Sequence, residues 1–293
     1  MLQMVIRIFL LILSASVCSC SHADIKGLFI PPKDGVDERF EQSMEMNDGL
    51  YAGTIETEES YSFYVAADPH IKDTHRNLGI FNDALKNDGE TSFAAILGDC
   101  IDVKDNLALY LEALAYYPDR HSYDPEIFHI LGNHDIFFNG WEDFRESVGA
   151  SAYWFEAVFP NGKDMYITLD TASGTLGRKQ MQWFKTFLAE NRNSYRYCII
   201  LTHTNLFYRD NSQTGSGNMP LEETFDLIDF LSRQNVSLLL QGHDHHREDL
   251  TYGNVRYTVL GTIRDESKTP EYLKVNVNKE GISYEWQTIS TAD

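Results

Sequence analysis

Residues 93–102 read Phe93-Ala94-Ala95-Ile96-Leu97-Gly98-Asp99-Cys100-Ile101-Asp102. Five uncharged apolar residues in a row suit a strand buried on both faces, and the Gly-Asp behind them ends it in a tight turn carrying a carboxylate. The same arrangement recurs along the chain. The run at 61–66 leads into Asp68-Pro69-His70, the run at 127–131 into Gly132-Asn133-His134-Asp135, the run at 197–202 into His203, and the run at 236–241 into Gly242-His243-Asp244-His245. Five of the ten histidines thus stand directly behind strand-like segments. In open α/β folds ligands bind beyond the carboxyl ends of strands, so these loops are expected to converge.

Outward from these blocks, β-branched and aromatic runs at 153–158, 164–169, 255–260, 272–276 and 281–286 predict further strands. Helical patterns lie at 77–86, 105–116, 141–147, 178–191 and 221–234. In the last of these Leu221, Phe225, Ile228 and Leu231 recur at helical spacing and predict a core-facing stripe. Strands alternating with helices, then a strand-rich end, place the chain in the α/β class with two packed sheets flanked by helices.

Composition bounds the function. The chain has 293 residues, with 24 Lys+Arg against 44 Asp+Glu and a formal net charge of −20. A nucleic-acid partner demands a basic face, so this balance argues against duplex DNA or RNA as the main partner. A small anionic substrate is not excluded, because bound metal ions concentrate positive charge locally.

Residues 1–19 read as an export signal, with Arg7 ahead of the apolar stretch 8–13 and small residues at 14–19. Val17-Cys18-Ser19-Cys20 resembles a bacterial lipobox, which makes Cys20 the lipidated end of an exported, membrane-anchored protein at the periplasm or cell surface. An ordinary signal peptide cut near Ala23 is the alternative. Residues 20–60 are expected to be a tether with a lead-in hairpin at 49–57, and 61–293 a single domain. Cys100 and Cys198 lie in or beside apolar runs and read as buried thiols rather than a disulfide framework.

Two aspartates, an asparagine and several histidines form a donor set suited to a pair of first-row metal ions, since imidazole favours such ions and one carboxylate can bridge two of them. Asp-x-His and His-x-His place alternate residues on one side of an extended segment. Taken together and in this order, the five blocks resemble the calcineurin-like metallophosphoesterase family, over roughly residues 61–246.

The resemblance implies a four-layer α/β/β/α sandwich with a dinuclear site at the carboxyl strand ends. One ion would be held by Asp68, His70, Asp99 and His245, and the other by Asp99 as a bridge with Asn133, His203 and His243. The ions would be Mn, Fe, Zn or Ni. It further implies hydrolysis of small phosphomonoesters or phosphodiesters, such as nucleotide or sugar phosphates, by metal-activated hydroxide, with His134 assisting the leaving group. Asp135 is expected to orient His134, and Asp102 to support the site from behind the ligands. Purple acid phosphatases place a tyrosine where this chain has Asp102, so the pattern is more similar to the bacterial phosphodiesterase-like branch. A nuclease, a phospholipid-directed phosphodiesterase and a non-catalytic metal-binding module are the alternatives, and the acidic charge counts against the first. Tyr208 and Arg209, with Phe207, leave the His203 block directly and are candidate substrate contacts, and with the segment 211–218 behind them form a candidate rim or lid; an exposed linker with incidental aromatics is the equal alternative. Arg247 and Arg264 are weaker candidates of the same kind.

Overall fold

The computed structural model describes residues 33–114, 125–207 and 219–290. The export signal, Cys18, Cys20, His121, Tyr208, Arg209 and the segment 211–218 lie outside the described residues. No helix among the described residues is long and apolar enough to cross a membrane.

Among the described residues twelve strands form two mixed sheets. One contains β2 (Tyr61–Ala66), β3 (Thr91–Ile96), β4 (Glu126–His129), β11 (Glu271–Asn278) and β12 (Gly281–Thr288), in the order β12-β11-β2-β3-β4. The other contains β1 (Tyr51–Glu56), β5 (Tyr153–Phe159), β6 (Gly162–Leu169), β7 (Cys198–Thr202), β8 (Leu238–Gln241), β9 (Glu248–Tyr252) and β10 (Val255–Val259), in the order β1-β5-β6-β7-β8-β10-β9. β2, β3 and β4 are parallel neighbours, and so are β6, β7 and β8, so each sheet sends a set of carboxyl ends to one edge.

The sheets meet over an aromatic interior. Phe128 of β4 stacks on Phe155 of β5 at 3.7 Å between ring centroids, and Phe93 of β3 meets Tyr166 of β6 edge-on at 5.1 Å. Much of the abundant aromatic content is spent here, where large flat side chains bury most area per residue. Outside the first sheet lie α2 (Arg76–Asn87), α3 (Leu107–Ala113) and, after the single turn α4 (Asn133–Ile136), α5 (Gly140–Ser147); α2, α3 and α5 bury Leu78, Phe81, Tyr110 and Phe144 against it. Outside the second lie α6 (Gly177–Asn191) and α7 (Leu221–Arg233), which bury Phe184, Leu188, Leu227 and Leu231. The architecture is therefore the α/β/β/α sandwich implied above.

Three expectations are corrected. Residues 33–60 are not a tether: α1 (Val36–Met46) docks on α6, where Asp37 accepts the Lys179 N–H at 2.8 Å and Phe40 packs on Trp183. β1 is no hairpin arm but pairs parallel with β5, because Ile55 and its neighbours find an open sheet edge. The α7 stripe is only half buried: Ile228 and Leu231 are inside, while Leu221 and Phe225 are 57% and 66% exposed, since the buried arc runs through Thr224, Leu227, Ile228 and Leu231.

Candidate metal centre

The five blocks fold as sharp exits from strands. Asp68, His70, Asp99, His243 and His245 all have positive φ, from 45° to 75°, and make up five of the nine non-glycine residues of this kind among the described residues. Such conformations cost about 1–3 kcal/mol each and persist where surrounding contacts enforce them. Gly98, at φ 84°, is pressed so close that a Cβ would lie 2.6 Å from His203 Nδ1, and one on Gly132 would lie 2.1 Å from the Asp99 nitrogen. These glycines let three loops touch.

Two groups of donor atoms meet at Asp99. In the first, Asp68, His70, Asp99 and His245 offer atoms within 4.8 Å of one another. His70 Nε2 and His245 Nε2 face each other at 2.9 Å, His245 Nε2 is 3.5 Å from Asp68 Oδ1, and His70 Nε2 is 3.4 Å from Asp99 Oδ2. In the second, His203 Nε2 stands 3.0 Å from Asn133 Oδ1, 3.1 Å from His243 Nδ1 and 3.4 Å from Asp99 Oδ1. Asp99 turns one oxygen to each group. Donor atoms about 2.0–2.3 Å from a first-row dication lie roughly 3.0–3.5 Å apart, so both sets fit one ion each. The His203 tautomer fits too: Nδ1–H donates to the Leu97 carbonyl at 2.7 Å, leaving the Nε2 lone pair turned inward.

The charge states also suit ligation. Burial raises the Asp99 carboxyl, but the surrounding His203, His134 and His70 outweigh it and hold it below its ordinary value. Asp68 is likewise held down by His245 against the effect of burial. Burial lowers His70, and burial with the nearby His203 lowers His243 to about 4, so both rings are neutral at pH 7. His203 goes the other way: burial lowers it, but Asp99 and Asp68 outweigh this and raise it. Two buried carboxylates draw positive charge to this spot.

The His134 side chain is 29% exposed, with its ring edge-on to His70 at 4.6 Å. Its Nδ1 lies 3.1 Å from the Asp102 carbonyl, to which it donates, so Nε2 is the free nitrogen. The Asp102 carboxylate lies 3.8 Å from that same Nδ1 and 3.6 Å from His70 Nδ1. Asp135 does not orient His134. Its carboxylate is turned away to accept the Gly132 N–H at 2.8 Å and the Ile101 N–H at 3.3 Å, pinning the Asn133 loop to the Asp99 loop. Burial, and then Asp99, push that carboxyl up to about 8.

Several supports escaped the sequence reading. Asn205 donates to Asp244 at 2.6 Å, clasping the His203 loop to the His243 loop, and Thr262 donates to the Asp68 carbonyl. Thr171 behind β6 accepts the N–H groups of His203 and Thr204. Leu169-Asp170-Thr171 is itself a carboxyl strand end beside β7, which was the available signal. Other candidates fall elsewhere. Arg247 lies 3.8 Å from Glu271 and over the Trp286 ring, and Phe207 packs edge-on against Tyr257. Arg264 is half-buried, its N–H held by Thr262. Cys100 and Cys198 are free and buried.

The sequence model described as calcineurin-like phosphoesterase matches residues 61–247. The chain belongs to this family. Phosphoesterases of this family use a dinuclear metal site, and the two donor groups joined at Asp99 are its candidates here. Among solved structures, a dimetal phosphatase from Danio rerio is 14% identical, with a TM-score of 0.59 over 79% of this chain and 99% of that one. A purple acid phosphatase from yellow lupin (Lupinus luteus) gives the same identity and TM-score over 79% of this chain, which spans only 52% of the lupin protein. GAP50, the anchor in the inner membrane complex of Plasmodium, is also 14% identical, with a TM-score of 0.59 over 80% of this chain and 86% of that one. At such identity the likeness is one of fold. No curated protein matches the sequence.

Proposed function

We propose that the protein is a dinuclear metal-dependent phosphohydrolase acting on small phosphate mono- or diesters, such as nucleotide or sugar phosphates, exported and held at the membrane through Cys20. The observation that carries the reading is Asp99, whose two oxygens face two separate sets of donors at 3.4 Å each. Asp68, His70 and His245 complete one set, and Asn133, His203 and His243 the other. Two bound cations would supply Lewis acidity toward the phosphoryl oxygens and lower the pKa of water toward about 7.

The chain's own residues do the rest. Burial of the ligand set excludes bulk water from behind the site, so charge interactions there are stronger than in water. His134 keeps its Nε2 free beside His70, where, protonated, it donates to the leaving oxygen as charge develops. The Asp102 carbonyl fixes that orientation and its carboxylate stabilises the imidazolium. The net charge of −20 argues for a small substrate over a polyanion such as duplex nucleic acid. The test is hydrolysis of chromogenic mono- and diesters by protein reconstituted with Mn, Fe, Zn or Ni. Turnover that chelator abolishes and metal restores is expected; no turnover with any of the four, or turnover indifferent to chelator, contradicts the reading.

A further inference from the structure

The family-matched residues begin at 61, yet a fully buried arginine reaches the site's framework from α1, ahead of them. The Arg39 guanidinium is 0% exposed and grips Asp170, also 0% exposed, with a two-pronged fork: Nε to Oδ2 at 2.8 Å and Nη2 to Oδ1 at 3.0 Å. Two further N–H groups go to Ser173 Oγ and the Asp34 carbonyl. Asp170 is fixed on its other sides too, with its N–H to Gln180 Oε1 and its carbonyl accepting from Gln180 Nε2, both at 2.8 Å. The next residue is Thr171. Its hydroxyl pairs with Thr202 at 2.8 Å and accepts the N–H of Thr204 at 2.9 Å and of His203 at 3.3 Å, while its carbonyl accepts the Thr204 hydroxyl at 2.7 Å. The backbone that presents His203 therefore hangs from Thr171, and Thr171 is held in place through Asp170 by Arg39.

We infer that Arg39 is a positioning residue for the second donor set, so that the N-terminal helix is a working part of the metal centre rather than a lead-in to it. This rests on the dinuclear reading above. A charge this deeply buried is retained against its desolvation only where geometry matters or a partner would be stranded, and a bidentate fork fixes direction as a lysine cannot. Among the described residues nothing comparable reaches the first donor set from α1, so the effect is one-sided.

The test uses the full chain with Arg39→Met, Arg39→Lys, and the double variant Arg39→Met with Asp170→Asn. The double variant leaves no stranded charge and keeps an oxygen for the Ala172 N–H, so it is expected to retain the fold. Calorimetric titration with Mn²⁺ is done in two backgrounds: His245→Ala, which isolates the second set, and His203→Ala, which isolates the first. In the double variant the second-set Kd is expected to rise about tenfold or more, the scale of lost support behind a ligand, while the first-set Kd stays within about twofold. Arg39→Lys restores little of the loss. An unchanged second-set Kd, or equal weakening of both sets, overturns the inference. Amide hydrogen exchange in the ion-free chain separates this from failure of the dinuclear reading. Faster exchange at His203 and Thr204 with unchanged exchange in β3 supports the role of Arg39 even if Mn²⁺ binding is not seen, and unaltered exchange there refutes it.

Discussion

The two donor sets share one carboxylate and differ in almost everything else. His203 and His243 are buried, and their loops are held by interior groups: the Leu97 carbonyl, the Thr171 hydroxyl and the Asn205–Asp244 clasp. His70 and His245 sit nearer the surface, bordered by half-exposed Asp102 and His134 and by Lys72 at 3.7 Å from Asp102. The inner set is a fixture of the sandwich. The outer set borders the partly exposed Asp102 and His134, and His134 is the group proposed to donate a proton. Rigidity on one side and access on the other is the division of labour a hydrolytic site needs, because precise placement and substrate entry make opposite demands on packing.

Substitutions sharpen that contrast. The largest effect is expected from Asp99→Ala, which removes the only group common to both sets; metal analysis should find both positions depleted and turnover abolished, whereas one fully occupied position would break the idea of a bridge. His134→Ala should leave metal content intact and lower kcat by about 10²–10⁴-fold, the usual contribution of a positioned acid. Steady-state kinetics with elemental analysis separates the two cases. Asp102→Ala should be milder, lowering kcat about tenfold, the low end for a residue supporting a ligand or acid, because the carbonyl that holds His134 Nδ1 is backbone and survives. Asp135→Ala should be a stability variant, leaving two buried N–H groups unpaired at a cost of about 1–3 kcal/mol, measured by denaturant unfolding; a kcat loss matching that of His134→Ala would reinstate Asp135 as its orienting partner.

Much of the site was legible in the chain because it lies at strand ends. The runs behind Asp68, Asp99, Asn133, His203 and His243 are apolar enough to be read as buried strands, and the polar residues directly after them have few other places to be. β2 falls at Tyr61–Ala66, as the sequence pattern predicts. α1 was not legible, since its inward face is made of Val36, Arg39, Phe40 and Ser43. An arginine reads as solvated until its partner Asp170, 131 positions away, is known. β9 was missed for a related reason: Glu248–Tyr252 is a largely exposed edge strand with no apolar alternation. Asp135 was misread because adjacency to His134 suggested contact, while the turn beginning at Gly132 sends the two side chains apart. The α7 stripe shows the same limit, since spacing fixes which residues share a helix face but not how far the neighbouring layer extends over it.

The central claim is that two ions flank one aspartate. Anomalous diffraction from crystals of the Mn- or Zn-reconstituted protein tests it directly. Two peaks about 3.5–4 Å apart, one on either side of Asp99, are expected, with His70 and His245 around one and His203 and His243 around the other. A single peak, or peaks remote from Asp99, contradicts the account.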